Sequence, residues 1–468
     1  MSDSCRGSAA AAVSNGMITD ALAEGLKDGG LHLITNYPGF HSNELFDRAG
    51  GAITSSNERN AYAVAWGAAV AGWRSAVTFK NVGLNDAADA FLNSHALGLT
   101  AGLAVVVFDD IDVEHSQLRQ DSRHFFRFFG GLWLEPASLQ SAYDLAREAF
   151  VLSERFGVPV VLRVTNLLYG KLGSWQRRAP VDAPSVVFHR DPARFVMHPT
   201  HWEAHRQAMA ARQTAIQDWV DARYSAWSPG ALEETVHVVC GPAGAGDMAG
   251  LSGNPLRVET LPLPEAPLRA VLASGRPMAV HEYGDSVAAD LVRSRAGNAA
   301  VAALPLSHAH ARHRYHCADR HERLFQALRA VPGRVVCGDL GSFTMDPHQT
   351  LDVCLCYGAS VGVATGMALV RPDAPVFCIT GDGAYLHWGR AALDEALARD
   401  VSFVLAVFDN GGCRGTGGQV IPGDLRLVDS RVRRVEMDYR ETTVEAFGRI
   451  LSDCLSRRGI SLLCIRTD

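Results

Sequence analysis

Apolar runs of strand length alternate with stretches whose apolar residues recur at helical spacing, the pattern of parallel α/β layers joined by crossover helices. In the N-terminal part Leu31–Thr35, Ser75–Phe79, Leu103–Phe108 and Val158–Val164 read as buried strands, and Glu58–Gly72 and Leu139–Phe156 as helices. Pro180, Pro184 and Pro192 mark a polar, strand-poor linker. Beyond it Thr200–Trp227 reads as one long helix, and Val236–Cys240, Leu256–Thr260 and Met278–His281 as short strands of a small middle domain. The pattern then returns in its strongest form, with Arg334–Cys337, Val376–Thr380, Val401–Asp409 and Ile460–Ile465 as strands and Asp352–Leu369 and Trp388–Arg399 as helices. The expectation is an α/β protein of three parts, residues 1–190, 191–305 and 306–468.

Composition narrows the class of function. A chain of 468 residues with 47% hydrophobic and 20% charged residues is globular and long enough for several domains. With 44 Lys and Arg against 50 Asp and Glu it carries a net charge of −6, so it lacks the basic excess of a nucleic-acid binder. No apolar run reaches the roughly 18–20 residues of a membrane helix. The first residues show no basic region followed by an apolar stretch, so the expected compartment is the cytoplasm. Ten cysteines occur without a Cys-x-x-Cys pair, which argues against a zinc ribbon, a thioredoxin-like motif or a bacterial-type iron–sulfur run. Most read as small buried hydrophobes.

Candidate chemistry gathers at two strand ends. Gly381-Asp382-Gly383 follows one predicted strand and Asp409-Asn410-Gly411-Gly412 the next, and in a parallel sheet both turns lie at the carboxyl edge, where ligands bind. Asp382 and Asn410 are 28 residues apart and approach each other across one right-handed crossover. A carboxylate, an amide oxygen and a nearby main-chain carbonyl are hard ligands suited to Mg²⁺, which keeps positions for phosphate oxygens and water. Taken alone, Gly-Asp-Gly is equally a simple turn; the surrounding strand, helix and second turn favour the ligand reading.

This arrangement resembles the Mg²⁺ and diphosphate motif of thiamine diphosphate enzymes. The resemblance carries metal binding to Asp382, Asn410 and the main-chain carbonyl of Gly412. Ser56-Asn57-Glu58-Arg59 and the helix after it look like the element of such enzymes in which one Glu bonds the pyrimidine ring, here Glu58. A Glu at a helix start is otherwise a capping or dipole residue. Tyr37-Pro38-Gly39, Asn57-Glu58-Arg59, Lys80-Asn81-Val82-Gly83-Leu84-Asn85, His115-Ser116-Gln117, Gln120-Asp121-Ser122-Arg123, Gly338-Asp339-Leu340-Gly341 and Gly415-Thr416-Gly417-Gly418-Gln419 follow in the order of one group. They resemble the alpha subunit of indolepyruvate ferredoxin oxidoreductase, among the 2-oxoacid ferredoxin oxidoreductases. The resemblance implies a pyrimidine-binding domain, a transketolase-C-like middle domain and a diphosphate-binding domain, assembled as a homodimer with active sites between chains. It also implies that Gly338, Asp339, Gly341, Gly358, Ser360, Gly381, Asp382, Gly383, Ala384, Asn410, Gly412 and Thr416, with Glu58, bind the cofactor.

Departures from that family shape the expected reaction. The family continues into a ferredoxin-like domain with clustered cysteines, whereas this chain stops at Arg466-Thr467-Asp468. It has Cys-x-x-Cys-Pro-His where this chain reads His316-Cys317-Ala318-Asp319-Arg320-His321, and a histidine where Asn81 stands. The expectation is therefore non-oxidative decarboxylation of a 2-oxo acid, an arylpyruvate by resemblance, giving CO₂ and an aldehyde or a product of ligation to a second carbonyl. The alternative is an oxidoreductase subunit with a separate iron–sulfur partner. His41 and His115 are candidates for a general acid or a carboxylate hydrogen bond, against ordinary structural roles for any of 18 histidines. Lys80 and Arg123 are candidate carboxylate clamps, against ordinary salt bridges. Asn81, Gln117 and His387 also fall near the expected centre.

Overall fold

A computed structural model describes residues 13–467 other than 52, 115, 117, 185, 187–190, 196–200, 231–234, 246–250, 252, 297–300, 307–320, 340, 355–356, 359, 371, 415–416 and 426. The chain divides into two compact units, residues 1–53 with 58–312, and 54–57 with 313–468.

The first unit is built on two sheets. The larger runs, in spatial order, Thr260–Leu261, Leu132–Leu134, Val160–Thr165, Leu103–Asp109, Ser75–Lys80, Leu33–Asn36 and Ile53–Thr54. Its central strands are continuous apolar runs because helices cover both faces: every residue of Leu103–Asp109 and Val160–Thr165 is buried. The helix Leu139–Phe156 starts on Ser138, whose side chain accepts from the Ser141 amide, and it packs with Ile18–Asp28 over one face. The smaller sheet orders Leu256–Val258, Val236–Cys240, Met278–Tyr283 and Val301–Leu306, all parallel. One apolar cluster spans both sheets, with Trp133 and Val161 of the larger beside Val238, Leu256 and Val280 of the smaller. The expected strand Leu256–Thr260 splits between them. Leu256–Val258 pairs with Val236–Cys240, while Thr260–Leu261 turns to add antiparallel to Leu132–Leu134.

The second unit holds six parallel strands in the order Val353–Cys354, Val335–Gly338, Val376–Gly381, Phe403–Asp409, Ile460–Arg466 and Arg433–Asp438. The chain leaves Val335–Gly338 for the edge strand and returns on its other side at Val376–Gly381. The strand order therefore reverses between the ends Gly338 and Gly381, the crevice where open α/β sheets bind ligands. The expected helix Asp352–Leu369 is corrected here: a short strand comes first, Gly358 takes φ +82°, and the helix is Ser360–Val370. The expected helix Trp388–Arg399 begins as a π-turn, Tyr385–Gly389, before Arg390–Ala398.

Candidate functional site

In the second unit Asp382 opens a short helical turn after Gly381 and is buried. Its carboxylate accepts from the Gly383 amide at 2.8 Å and the Gly412 amide at 2.8 Å, joining the two strand-end turns. Burial pushes its carboxyl up to about 6 against these hydrogen bonds, so the ionised form lacks a counter-charge. Asn410 Oδ1 is buried with no hydrogen-bond partner. An orphaned amide oxygen on the loop tied to a carboxylate short of positive charge is a donor set that fits a hard divalent cation. The third expected ligand, the Gly412 carbonyl, accepts from the Arg414 amide at 2.8 Å and keeps a second lone pair. Gly383 must be glycine: a Cβ there would stand 2.7 Å from both Cys413 Sγ and the Tyr357 hydroxyl.

Asp339 follows the strand across the crevice, and its carboxylate is engaged by side chains and backbone of the protein. Its buried carboxylate accepts from the Ser360 amide at 3.1 Å, the Ser360 hydroxyl at 2.7 Å and the Thr380 hydroxyl. It thereby pins the start of the helix Ser360–Val370 to the strand that delivers Asp382. Gly341 and Gly358 lie in the left-handed region at φ +144° and +82° on either side. Thr416 lies outside the described residues, as do His115, Gln117 and the stretch His316–Arg320.

In the first unit Glu58 opens the helix Glu58–Ala71 and is 8% exposed. It lies against Gly83 in the first turn of the helix Asn81–Leu97, where a Cβ would come within 2.6 Å of Glu58 Cγ and 2.9 Å of Oε1. The Lys-Asn-Val-Gly stretch is thus coupled to Glu58 through a missing side chain, a role that sequence reading did not give Gly83. Asn81 is buried, donating to the Gln120 carbonyl at 3.2 Å and accepting from the Val82 amide.

Lys80 ends the strand Ser75–Lys80 with its ammonium 3.5 Å from Asp110. Burial pulls its amine below the ordinary lysine range, partly offset by Asp110. Asp110 also accepts from Asn166 at 2.9 Å, the Glu114 amide at 2.8 Å and the Ser116 hydroxyl at 2.7 Å. His41 takes the left-handed conformation, φ +61°, with its ring 4.0 Å from that of Tyr169 and Nδ1 3.6 Å from Glu44. Asp110, Asn166 and Tyr169 escaped sequence reading; the consecutive aspartates after an apolar strand were the available signal.

Arg123 is corrected as a substrate clamp. It is 1% exposed and donates to Asp121, to Glu282 at 2.7 Å and to the carbonyls of Tyr283 and Asp285 at 3.1 and 2.7 Å. Arg163, also buried, donates to Asp109 at 2.6 Å and Glu135 at 2.7 Å and lies 3.2 Å from Asp121. Two guanidinium groups thus hold four carboxylates together. The arginines keep Asp121 well below the usual carboxylate range, whereas burial pushes Asp109 and Glu282 up.

The two strand-end turns place hard oxygen donors at the carboxyl ends of neighbouring strands, next to the reversal of strand order, on the edge where open α/β sheets bind ligands. Residues 339–448 match the model of the Thiamine pyrophosphate enzyme, C-terminal TPP binding domain. The resemblance drawn from motifs extends along the chain. It is 26% identical to indolepyruvate oxidoreductase subunit IorA of Archaeoglobus fulgidus over 476 residues, covering 86% of this chain and 76% of that one. It is also 26% identical to the subunit of that name from Thermococcus kodakarensis over 509 residues, covering 89% and 78%. Among solved structures, a 2-oxoglutarate:ferredoxin oxidoreductase from Magnetococcus marinus shares the fold at TM-score 0.51 and 16% identity, over 63% of this chain and 62% of that chain. These relatives overturn the expectation of a non-oxidative decarboxylase: the proteins similar over most of the chain are oxidoreductase subunits. Cysteine spacing addressed where electrons leave, and an electron exit can sit on another subunit. Among the described residues no helix is long and apolar enough to cross a membrane.

Proposed function

We propose that this chain is the thiamine diphosphate-binding subunit of an oxidative 2-oxo acid oxidoreductase, acting on an arylpyruvate such as indolepyruvate with a separate iron–sulfur partner. The observation that carries the reading is the Asp382–Gly412 contact beside the orphaned Asn410 oxygen, within a segment matched to a thiamine pyrophosphate domain. Asp382, Asn410 and the Gly412 carbonyl would hold Mg²⁺ for the cofactor's diphosphate. Thiamine diphosphate supplies the electron sink for loss of CO₂. Glu58 bonds the pyrimidine nitrogen and sets its protonation state. Lys80, kept close by Asp110, receives the substrate carboxylate, and His41, held against Tyr169, is the acid–base group. The balanced change is 2-oxo carboxylate plus coenzyme A to acyl-CoA, CO₂, one proton and two electrons, the electrons passing to the partner. The assembly is a homodimer of this chain with the partner added.

The test is to supply the chain, isolated together with its iron–sulfur partner, with thiamine diphosphate, Mg²⁺, indolepyruvate and coenzyme A, with methyl viologen as one-electron acceptor. Acceptor reduction matched to CO₂ release, lost in Glu58→Gln, is the expected result. Aldehyde as the sole product, with the acceptor untouched in the presence of an iron–sulfur partner, would overturn the proposal. Sedimentation checks the dimer.

A further inference from the structure

After the strand Leu103–Asp109 the first unit makes a tight turn over residues 110–114. The Val113 amide donates to the Asp110 carbonyl at 3.3 Å, the Glu114 amide to the Asp110 carboxylate at 2.8 Å, and the Ile111 amide to Asn166 at 2.8 Å. Val113 takes φ +58°. That is a left-handed conformation which β-branched residues rarely adopt and which surrounding structure has to hold.

The hold comes from the smaller sheet. Tyr283 ends the strand Met278–Tyr283, is fully buried beside Ile111 and Leu167, and donates its hydroxyl to the Asp112 carboxylate. Burial and then the Asp112 contact push the phenol above the ordinary tyrosine range, so the proton stays on the tyrosine. The next residues approach just as closely. Gly284 has φ +109° and leaves no room for a Cβ against Asp121 Oδ2, and the Asp285 amide donates to Asp121 at 2.9 Å. One end of the smaller sheet thus fixes the chain at Asp112 and again at Asp121. This bears on the site because Asp110, whose carboxylate closes the turn, also lies 3.5 Å from the Lys80 ammonium. A displaced turn moves the anion against which Lys80 is set.

We propose that Tyr283 is a positioning residue for the 2-oxo acid: through Asp112 it fixes residues 110–114, and with them Asp110 and the Lys80 ammonium that receives the substrate carboxylate. The inference deepens the function proposed above and rests on its assignment of Lys80. Tyr283→Phe keeps the packing of the ring and deletes the hydroxyl. In the full chain isolated with its iron–sulfur partner, KM for indolepyruvate should rise about tenfold, the scale of one hydrogen bond to a charged group. Because the loss falls on substrate binding, kcat and thiamine diphosphate affinity should stay within about twofold of the parent. Hydrogen exchange gives a readout that needs no turnover: the Ile111 and Glu114 amides should exchange about tenfold faster, while those of Leu103–Asp109 keep the parent rate. Asp112→Ala should also raise KM, and the double variant should match Asp112→Ala, because both changes remove one bond. A tyrosine that only fills the core would lower stability and leave KM in place. Parent KM in Tyr283→Phe, unchanged exchange in the turn, or losses that multiply in the double variant would each overturn the proposal. No turnover of any 2-oxo acid by the parent complex would remove the proposed function and the role of Tyr283 with it, whereas parent turnover with a KM indifferent to Tyr283 removes this inference alone.

Discussion

Replacing Gly83 with alanine sets two effects against each other. In the first turn of a helix the change is ordinarily neutral to stabilising, by up to about 1 kcal/mol. Here the added carbon would stand 2.6 Å from Glu58 Cγ, 2.9 Å from Oε1 and 3.0 Å from Phe79 Cβ, where carbon contacts are comfortable at about 3.5–4.0 Å. Phe79 is 0% exposed and fixed in the strand Ser75–Lys80, so the Glu58 side chain has to give way, by about 1 Å. If Glu58 sets the pyrimidine as proposed, misplacing it by that distance is on the scale of 100-fold in rate. The expected outcome of Gly83→Ala is turnover lower by about 100-fold with a urea-unfolding free energy within about 1 kcal/mol of the parent. Turnover is read as CO₂ release with a one-electron acceptor. Combining Gly83→Ala with Glu58→Gln should cost no more than Glu58→Gln alone, because both act on one side chain. Parent-like turnover in the single variant, or losses that multiply in the double, would refute the coupling of Gly83 to Glu58.

Three further outcomes follow from the same contacts. Arg163→Met strands Asp109 and Glu135 in the core and should destabilise the chain by about 3–5 kcal/mol in urea at neutral pH; a loss below about 1 kcal/mol would show that the cluster relaxes. In that variant Asp109, already pushed up by burial, loses the Arg163 charge that holds it down, so the native state binds more protons than the unfolded one. The deficit should therefore shrink as pH falls from 8 toward 5, and a deficit that grows would reverse the assignment. Asp382→Ala should weaken thiamine diphosphate binding in the presence of Mg²⁺, and unchanged affinity by calorimetry removes Asp382 from the metal site. If the Lys80 cation receives the substrate carboxylate, its lowered amine discharges at a lower pH than an ordinary lysine. KM for the 2-oxo acid should then rise as pH climbs through that range, and Lys80→Met should flatten the profile at high KM; a flat parent profile counts against Lys80.

The strands that sequence alone located are those buried on both faces. Leu103–Asp109, Val376–Gly381, Phe403–Asp409 and Ile460–Arg466 lie within two residues of their expected bounds because an uninterrupted apolar run has few other places to go. Most of the strands that escaped are short or polar, with the apolar Val301–Leu306, which carries Pro305, as the exception. Leu132–Leu134 is three residues long, and Arg433–Asp438 is a charged edge strand whose Arg and Glu residues discourage pairing with another chain. The false start of the helix at Asp352 has a tertiary cause. The first amide of the helix at Ser360 is fixed by Asp339, 21 residues earlier, a constraint invisible to local periodicity. Arg123 was misread for a related reason: its partners Glu282, Tyr283 and Asp285 lie about 160 residues away.

The site and the reaction differ in how far local sequence reaches. Asp382, Asn410 and Glu58 stand at strand ends or a helix start, and glycine-rich turns announce such places. Their proposed work, holding the diphosphate and setting the pyrimidine, precedes the branch between oxidative and non-oxidative fates, so the same residues serve both. What separates the fates is the route electrons take afterwards. Cys240, Cys337 and Cys378 sit inside strands with thiols pushed up by burial, behaving as the small hydrophobes expected of them. Cysteine spacing in one chain thus speaks to that chain's own clusters and leaves a partner's clusters untouched. Similarity to an oxidoreductase subunit over 86% of the chain does not depend on this chain's own cysteines, and for that reason it outweighs the spacing argument for a non-oxidative fate.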